Sequence, residues 1–281
     1  MAGHATGDQD PAGPSSGQAD HRVVARQQRR SHSYDAPMEH LALVDAVDRE
    51  RATIAAVLRG SEPGTDVPTC PGWQLRDLAL HVGEFLGFWA HVLCDATGAA
   101  KPAYGEPDGN GADWLDAVGD DISTRLRSLA GDATVWTWVP EDQSAHFVAN
   151  RAAHELAIHR CDAQLAIGEP EPIERAVAGA GIDEVAMMVT HLSRATGAGE
   201  TLHLHATDGA GGAGDGGEWM FTLGQDGVVV TREHGKGDLA IRATASDLEL
   251  ILYGRPTLDE VVTFGDPAVL ATWYRIFRFG A

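Results

Sequence analysis

The spacing of apolar residues predicts a helical bundle in the first part of the chain. Residues 38–60 repeat apolar side chains at intervals of three and four, the spacing of one buried helix face. The same spacing in residues 74–95, 112–130 and 141–167 predicts three more helices. Amphipathic helices must bury their apolar faces against one another, so we expect these four to form one bundle.

The pattern changes after the fourth helical run. Pro170 and Pro172 interrupt the helical spacing and restrict the residue before each. A helical run at 173–194 precedes four β-prone runs, TLHLHAT, EWMFTL, GVVVTRE and DLAIRA, and two further helical runs, SDLELILYGR and PAVLATWYRIF. This order predicts an α+β multidomain chain. Its parts are a bundle at 37–169 and, at 170–281, a small antiparallel sheet covered by helices on one face.

The first 36 residues differ in composition from the rest. Residues 1–36 are rich in Gly, Ser, Gln, Asp and Arg and show no sustained periodicity, which predicts a disordered leader. They also lack the apolar segment of a secretory signal, and no run of roughly 18 apolar residues occurs elsewhere. We therefore expect a cytoplasmic protein.

Charge and cysteine content narrow the possible partners. There are 41 acidic and 21 basic side chains, a formal charge of −20, which disfavours nucleic acid and anionic membranes. The three cysteines, Cys70, Cys94 and Cys161, form no CxxC pair, which disfavours a disulfide framework or a cysteine zinc site. Any metal must be held by histidine and carboxylate.

The segment RAAHELAIHRCDA, residues 151–163, carries the clearest candidate chemistry. His154 and His159 are five residues apart, roughly 140° around a helix, so this is not the zincin motif. Glu155 and His159 are four apart and share one helix face, which is otherwise apolar or small. A carboxylate on a bundle-facing stripe requires protonation, a cationic partner or a metal.

The second predicted helix offers a third candidate ligand. His81 lies on an apolar series with Leu78 and Phe85, so it also points into the bundle. Two histidines and one glutamate leave coordination positions open, which is typical of catalytic zinc. Asp77, one turn earlier, either orients the imidazole or is an exposed helix charge. Periodicity also permits a hydrogen-bonded core histidine or a plain Glu–His ion pair.

Two segments together resemble a known family. VPTCPGWQLRDLALHVGEF resembles the entry motif of the mycothiol-dependent maleylpyruvate isomerase family, a branch of the DinB-like superfamily, and HELAIHRCDA resembles its second metal motif. The order of parts also matches, from the helical bundle through the α+β domain to a closing segment like DLELILYGR, and the similarity covers about residues 38–277. It implies a DinB-like four-helix metal-binding bundle followed by the family's α+β C-terminal domain.

The resemblance also implies functional residues. It assigns a divalent metal, usually zinc, to His81, Glu155 and His159. It further implies that Arg255 reaches the site from the C-terminal domain and binds the substrate's carboxylate. Arg242 in the run DLAIRA is a competing choice, and either arginine also fits an ordinary surface position.

The implied activity is mycothiol-dependent. A metal-bound thiol loses its proton and adds to an electrophilic small molecule, giving either cis–trans isomerisation or thiol S-transfer. Two other functions stay open: a thiol-independent metal-dependent hydrolase and a non-catalytic metal-binding regulatory protein. The family-like segment Cys70-Pro71-Gly72-Trp73 is interpreted as a structural turn, because no basic residue near Cys70 in sequence lowers its pKa.

Weaker signals receive structural interpretations. The glycine-rich residues 209–217 join two β-prone runs instead of opening a helix, so we expect a hairpin loop and no nucleotide site. His203 and His205 share one strand face but have no evident third ligand, so we expect them on the sheet surface. No GxSxG motif supports a serine hydrolase.

Overall fold

The structure is a computed structural model that describes residues 38–95, 107, 109–192, 196–209 and 217–277. The predicted leader at 1–36 lies outside these residues, as do residues 210–216 of the predicted hairpin loop.

The first half of the described chain contains the four predicted helices: α1 (His40–Gly60), α2 (Leu75–Asp95), α3 (Ala112–Ser128) and α4 (Ala145–Ile167). Helix α1 packs mainly against α3 and α4, and α2 packs against α3 and α4, so the bundle prediction is confirmed. Helix α4 begins later than predicted. Ser144 caps it by accepting a hydrogen bond from Phe147 N at 3.1 Å, which leaves residues 141–144 in a loop.

Helix α4 packs against α1, α2 and α5 and is buried on almost every side. A helix buried all round is ordinarily apolar. Here six of its buried residues are polar or charged: His154, Glu155, His159, Arg160, Asp162 and Gln164. Buried polar groups must find partners, and their partners come from α1, α2, α5, α6 and the loops beside them.

A tight turn precedes α2 and places three side chains against α4. Trp73 N donates to Cys70 O at 2.9 Å, and Gly72, at φ 84°, occupies the third position of the turn. Proline second and a positive-φ glycine third define a type II turn, so the predicted Pro-Gly turn before α2 is confirmed. The turn points Cys70, Thr69 and Trp73 towards the α4 residues.

The second half consists of α5 (Arg175–Leu192), β1 (Glu200–Ala206), β2 (Glu218–Gly224), β3 (Gly227–Thr231), β4 (Leu239–Ala243), α6 (Ala245–Leu252), β5 (Val262–Gly265) and α7 (Ala268–Ile276). The strands form one sheet in the order β3-β2-β1-β4-β5. Three pairings are antiparallel, but β1 and β4 are parallel, so the sheet is mixed and not wholly antiparallel. The parallel pair arises because residues 232–238 cross from β3 to the far side of β1, and residue alternation within strands does not encode such a crossing.

The two faces of the sheet have different coverings. Leu202 and Leu204 of β1 share a face with Phe221, whose ring lies 5.1 Å from that of Trp273 in α7. Helices α5, α6 and α7 contact the sheet. The Trp219 indole N–H donates to Asp183 Oδ1 of α5 at 2.7 Å. The opposite face carries His203 and His205 and lies under the crossing segment.

Strand β5 was not expected from the sequence. All four of its residues, Val262–Gly265, are exposed, so no alternation of buried and exposed positions marks it. Among the described residues, no helix is both long enough and apolar enough to cross a membrane.

Candidate metal centre

Helices α2 and α4 bring the three predicted ligands together. His81 Nε2 lies 3.1 Å from Glu155 Oε1, and His159 Nε2 lies 3.5 Å from the same oxygen. The potential donor atoms of the three residues all lie within 4.8 Å of one another. The side chains therefore converge on one point inside the bundle, as the helical spacing predicts.

The centre is buried on one side and accessible on the other. Glu155 and His159 are 8% and 3% exposed, whereas 38% of the His81 side chain is exposed. The Trp73 ring lies 5.0 Å from the His81 ring and stacks 6.2 Å from the His159 ring. The candidate centre therefore reaches solvent through His81.

The charge of Glu155 is fixed by a neighbour on its own helix. Arg151, one turn earlier, donates to Glu155 Oε2, and its Nε lies 3.3 Å from Glu184 Oε1 on α5. Burial raises the pKa of Glu155, but Arg151 and the hydrogen bonds of His159 and His81 outweigh it, so the pKa lies well below its usual value. Glu155 is therefore an ionised carboxylate despite its burial.

The orientation of His159 is fixed by Asp162. Its Nδ1 donates to Asp162 Oδ2 at 3.0 Å, which turns Nε2 towards Glu155. Burial lowers the pKa of His159, but the hydrogen bonds with Asp162, Cys70 and Glu155 raise it well above the usual value. An imidazole held by a carboxylate through its other nitrogen is the arrangement common to zinc-binding histidines.

Asp162 is held in turn by Arg255 from the C-terminal part of the chain. Arg255 Nε and Nη2 donate to Asp162 Oδ1 and Oδ2 at 3.0 and 2.9 Å, and Thr69 Oγ1 donates to Oδ1 at 2.5 Å. Burial raises the pKa of Asp162, yet its hydrogen bonds with His159 and Arg255 bring it far below the usual value. The segment that begins after α6 is thereby linked to the metal centre through one carboxylate.

The two candidate arginines occupy different places. Arg255 is 7% exposed. It bonds Asp162, and Asp162 in turn bonds His159. Arg242 is an exposed residue of β4, where it pairs in register with Val262 of β5. Of the two, only Arg255 contacts the residues that surround the centre, but its role towards a substrate stays a prediction.

Cys70, His159 and Asp162 form a second group of potential ligands on the Nδ1 side of His159. Arg255 Nη2 lies 3.6 Å from Cys70 Sγ and also bonds Asp162, so a guanidinium already faces this group. Its positive charge disfavours a cation there. The sequence has no basic residue beside Cys70, but folding brings Arg255 to it, and Cys70 itself is a free, buried thiol.

His154, the histidine that the spacing excludes as a ligand, points to the other side of α4. Its Nδ1 lies 2.8 Å from Glu184 Oε2 on α5, and its Nε2 lies 2.6 Å from Glu249 Oε1 on α6. Burial lowers the pKa of His154, but these two carboxylates raise it to about 9. His154 therefore joins the bundle to the C-terminal part as a buried imidazolium.

The sequence interpretation missed two residues and left the role of a third, Asp77, open. Asp162 bonds His159, which lies three residues earlier, and Arg151 bonds Glu155, which lies four residues later. Both spacings place the partners on one helix face, so the sequence contained a signal for each contact. Asp77 does not orient His81. Its Oδ2 accepts from Gln74 N at 2.8 Å and caps the start of α2.

The donor set fits a divalent cation of the zinc type. Two imidazole nitrogens and one carboxylate oxygen are ordinary zinc ligands, and three protein ligands leave a position for water or another molecule. Protons on the imidazoles compete for the same lone pairs, so binding of a cation would release them. Arg151 bonds Glu155, and Asp162 bonds His159. These bonds restrict the two ligands to orientations in which their donor atoms face a common ion.

Comparisons with known protein families match both halves of the chain. The sequence model of the mycothiol maleylpyruvate isomerase N-terminal domain matches residues 44–164, and that of the MDMPI C-terminal domain matches residues 174–272. The first match contains all three candidate ligands, and the second contains Arg255. Comparison with the curated proteins finds no match to this chain.

Two solved structures have a similar fold. One is a crystal structure of the mycothiol-dependent maleylpyruvate isomerase, with a TM-score of 0.56 and 14% sequence identity. The other is a crystal structure of a histidine-to-alanine mutant of the mycothiol-dependent maleylpyruvate isomerase, with a TM-score of 0.55 and 12% sequence identity. Each alignment covers 80% of this chain and 93% of the other chain. Since the two domain matches span both the bundle and the sheet, the chain belongs to the mycothiol-dependent maleylpyruvate isomerase family.

Proposed function

We propose that this protein is a cytoplasmic, divalent-metal-dependent and mycothiol-dependent enzyme that activates a thiol for addition to an electrophilic small molecule. The observation that carries the proposal is the convergence of His81, Glu155 and His159, with their donor atoms within 4.8 Å of one another. The family supports mycothiol as the thiol and a maleylpyruvate-type compound as the electrophile. Zinc is the proposed metal because of the nitrogen and carboxylate donors.

A divalent cation in this centre would lower the pKa of a coordinated thiol, ordinarily about 8.5, and hold it as the nucleophilic thiolate at neutral pH. The protein's own residues prepare this centre. Asp162 retains the Nδ1 proton of His159 and leaves its Nε2 for the cation. Arg151 keeps Glu155 ionised, and Trp73 covers one side of the two imidazoles.

Two reactions share the same first step. Addition of the thiol sulfur to one carbon of an electron-poor double bond leaves a single bond, about which the substrate can rotate. Expulsion of the sulfur then restores the double bond in the trans form, with no net gain or loss of atoms. Retention of the sulfur, with a proton taken up at the neighbouring carbon, gives a thiol conjugate instead.

Arg255 is the proposed ligand for the substrate's carboxylate. Support comes from its family position and from its contact with Asp162, which touches His159. A planar guanidinium binds carboxylates through two parallel hydrogen bonds, and Arg255 already binds one carboxylate in this way. In this proposal a substrate carboxylate shares the guanidinium with Asp162, so Arg255→Lys should raise KM more than it lowers kcat.

Metal content tests the proposal. We expect the purified full-length chain to bind zinc and the His159→Ala variant to lose one equivalent of it per chain. His191→Ala is the matched control, because His191 is a partly exposed histidine near the end of α5, bonded to its own helix. Circular dichroism checks that both variants fold. Full metal retention by folded His159→Ala would remove the basis of the mechanism.

Thiol dependence separates the proposal from its two alternatives. Turnover of maleylpyruvate that requires mycothiol supports the proposal. Hydrolysis that proceeds equally well without a thiol supports a metal-dependent hydrolase, in which the same centre activates water. Metal binding with no turnover of either kind supports a regulatory protein.

A further inference from the structure

Four side chains on the sheet face opposite the helices form a third group of potential ligands, away from the bundle. This group, the sheet cluster, consists of His203, His205, Glu218 and His234. Glu218 Oε1 lies 2.5 Å from His205 Nδ1 and 3.0 Å from His234 Nδ1, and Glu218 Oε2 contacts His203 Nε2. Three imidazoles therefore surround one carboxylate.

Strand register fixes the positions of three of these residues. His205 lies directly opposite Glu218 in the antiparallel β1–β2 pair. His203, two residues earlier, is on the same face and diagonal to Glu218. Since paired strands restrict their side chains to one face at fixed spacing, the three groups meet on a rigid base.

The fourth residue comes from the segment that crosses the sheet. His234 lies in residues 232–238, and its ring is 5.5 Å from that of His203. The segment lies directly on β1: a Cβ on Gly237 would be only 3.0 Å from His203 N and 2.7 Å from Leu239 O. Glycine at this position permits that close approach.

Burial makes the cluster unusual for a sheet surface. Glu218, His203 and His205 are 2%, 4% and 7% exposed, so the prediction that the two histidines lie on the sheet surface is wrong. The His234 side chain is 79% exposed and leaves the group open to solvent on one side. A buried carboxylate requires cationic or hydrogen-bonding partners, and a metal ion bound by imidazoles is one way to supply them.

The donor atoms are close enough for a single ion. Those of His203, Glu218 and His234 all lie within 4.8 Å of one another. Ligand atoms about 2.1 Å from a tetrahedral zinc are roughly 3.4 Å apart, so small side-chain rotations suffice. Two imidazoles with a carboxylate is a donor set that suits zinc and similar divalent ions.

We propose that His203, Glu218 and His234 form a second divalent-metal site, of the zinc class, separate from the centre between α2 and α4. His205 holds Glu218 from behind through Oε1, as Asp162 holds His159 in the first centre. The exposed His234 would leave such an ion accessible from solvent.

The site would attach the crossing segment to β1 and β2. This attachment matters because the segment begins with Arg232, whose guanidinium lies 4.3 Å from the Trp219 ring centre and contacts Asp183 of α5. These three residues line a cavity of about 310 Å³ between α4, α5 and the sheet. A bound ion would therefore hold one wall of this cavity in place.

Zinc titration of full-length variants tests this site without relying on activity. The background is His159→Ala, which removes a ligand of the first centre. We expect this protein to bind one equivalent of zinc, and His234→Ala in the same background to weaken that binding at least about 10-fold. His234 is exposed, so its replacement should not prevent folding. His191→Ala in the same background is the control and should bind zinc unchanged.

Hydrogen exchange locates the ion. Zinc should slow amide exchange in residues 232–238 of the His159→Ala protein, and His234→Ala should abolish that slowing. Equal zinc affinity with and without His234, or no zinc-dependent change in this segment, would overturn the proposal. If the proposed centre at His81, Glu155 and His159 does not bind metal, the result is different: the zinc content of the wild-type protein then equals that of His159→Ala.

Discussion

Asp162 Oδ2 lies 3.0 Å from His159 Nδ1 and accepts a hydrogen bond from it, so it decides which imidazole nitrogen faces Glu155. Histidine binds a metal through one nitrogen, and the hydrogen bond at the other selects which one. Because Arg255 holds the same carboxylate, the pair also connects the metal centre to the C-terminal part of the chain.

Asp162→Asn should weaken metal binding at the first centre. The neutral amide removes the charge that holds the His159 Nδ1 proton, and loss of such a partner lowers metal affinity about 10–100-fold. Zinc titration in a His234→Ala background measures this affinity alone. Asp77→Asn is the control: asparagine can also cap α2, so affinity should not change. Equal affinities in both variants would show that Asp162 does not orient the ligand.

Arg255→Ala and Arg242→Ala should differ strongly in stability. Removal of Arg255 leaves the buried Asp162 without its cationic partner, which costs roughly 3–5 kcal/mol of unfolding free energy. Arg242 is exposed on β4, so its loss should change stability by less than about 0.5 kcal/mol. Urea unfolding measures both. Similar losses for the two variants would contradict the buried pairing.

His154→Ala should destabilise the contact between α4 and the C-terminal helices. It leaves Glu184 and Glu249 buried near each other with one fewer cation, and breaking such a buried pair costs about 3–5 kcal/mol. Adding Glu249→Gln removes the carboxylate that loses its cationic partner His154, whereas Glu184 keeps Arg151, so the double variant should recover part of the loss. Denaturant unfolding measures the free energy of unfolding of the single and double variants. Strict additivity of the two losses would mean that the residues do not interact.

Gly83→Ala should destabilise the bundle although alanine is the better helix former. A Cβ on Gly83 would lie 1.9 Å from the Trp114 ring, so this ring or the two helices would have to shift. Overpacking of this kind costs about 1–3 kcal/mol, more than the roughly 1 kcal/mol that helix propensity contributes. The thermal midpoint should fall. Gly60→Ala, where nothing lies within 4 Å of the added atom, is the control.

Sequence patterns predict the bundle well because its helices follow local rules. Periodicity, the Pro71-Gly72 turn and a spacing of four between Glu155 and His159 depend on neighbours in the chain. These features place the three candidate ligands on inward faces, and the structure brings them together.

Features that depend on long-range topology could not be predicted in this way. The parallel β1–β4 pair depends on the path of residues 232–238, and β5 has no buried position to mark it. The sheet cluster needs Glu218 from β2 and His234 from the crossing segment to meet β1. No local spacing relates these residues, so the sequence shows no third ligand for His203 and His205.

Arg255 illustrates the same distinction. The family resemblance singled it out, but its bidentate pairing with Asp162, 93 positions away in the chain, is visible only in the folded protein. Asp162 itself lies within the family-like segment, three residues after His159. Only the structure shows that it contacts both His159 and Arg255.

The most direct test of the central claim is the visible and near-ultraviolet absorption of the cobalt-substituted protein during titration with mycothiol. A thiolate that binds the metal produces a sulfur-to-cobalt charge-transfer band. We predict that this band appears in the wild-type protein and is absent from His159→Ala. A wild-type spectrum unchanged by the thiol, or the same band in both proteins, would contradict thiol activation at the centre formed by His81, Glu155 and His159.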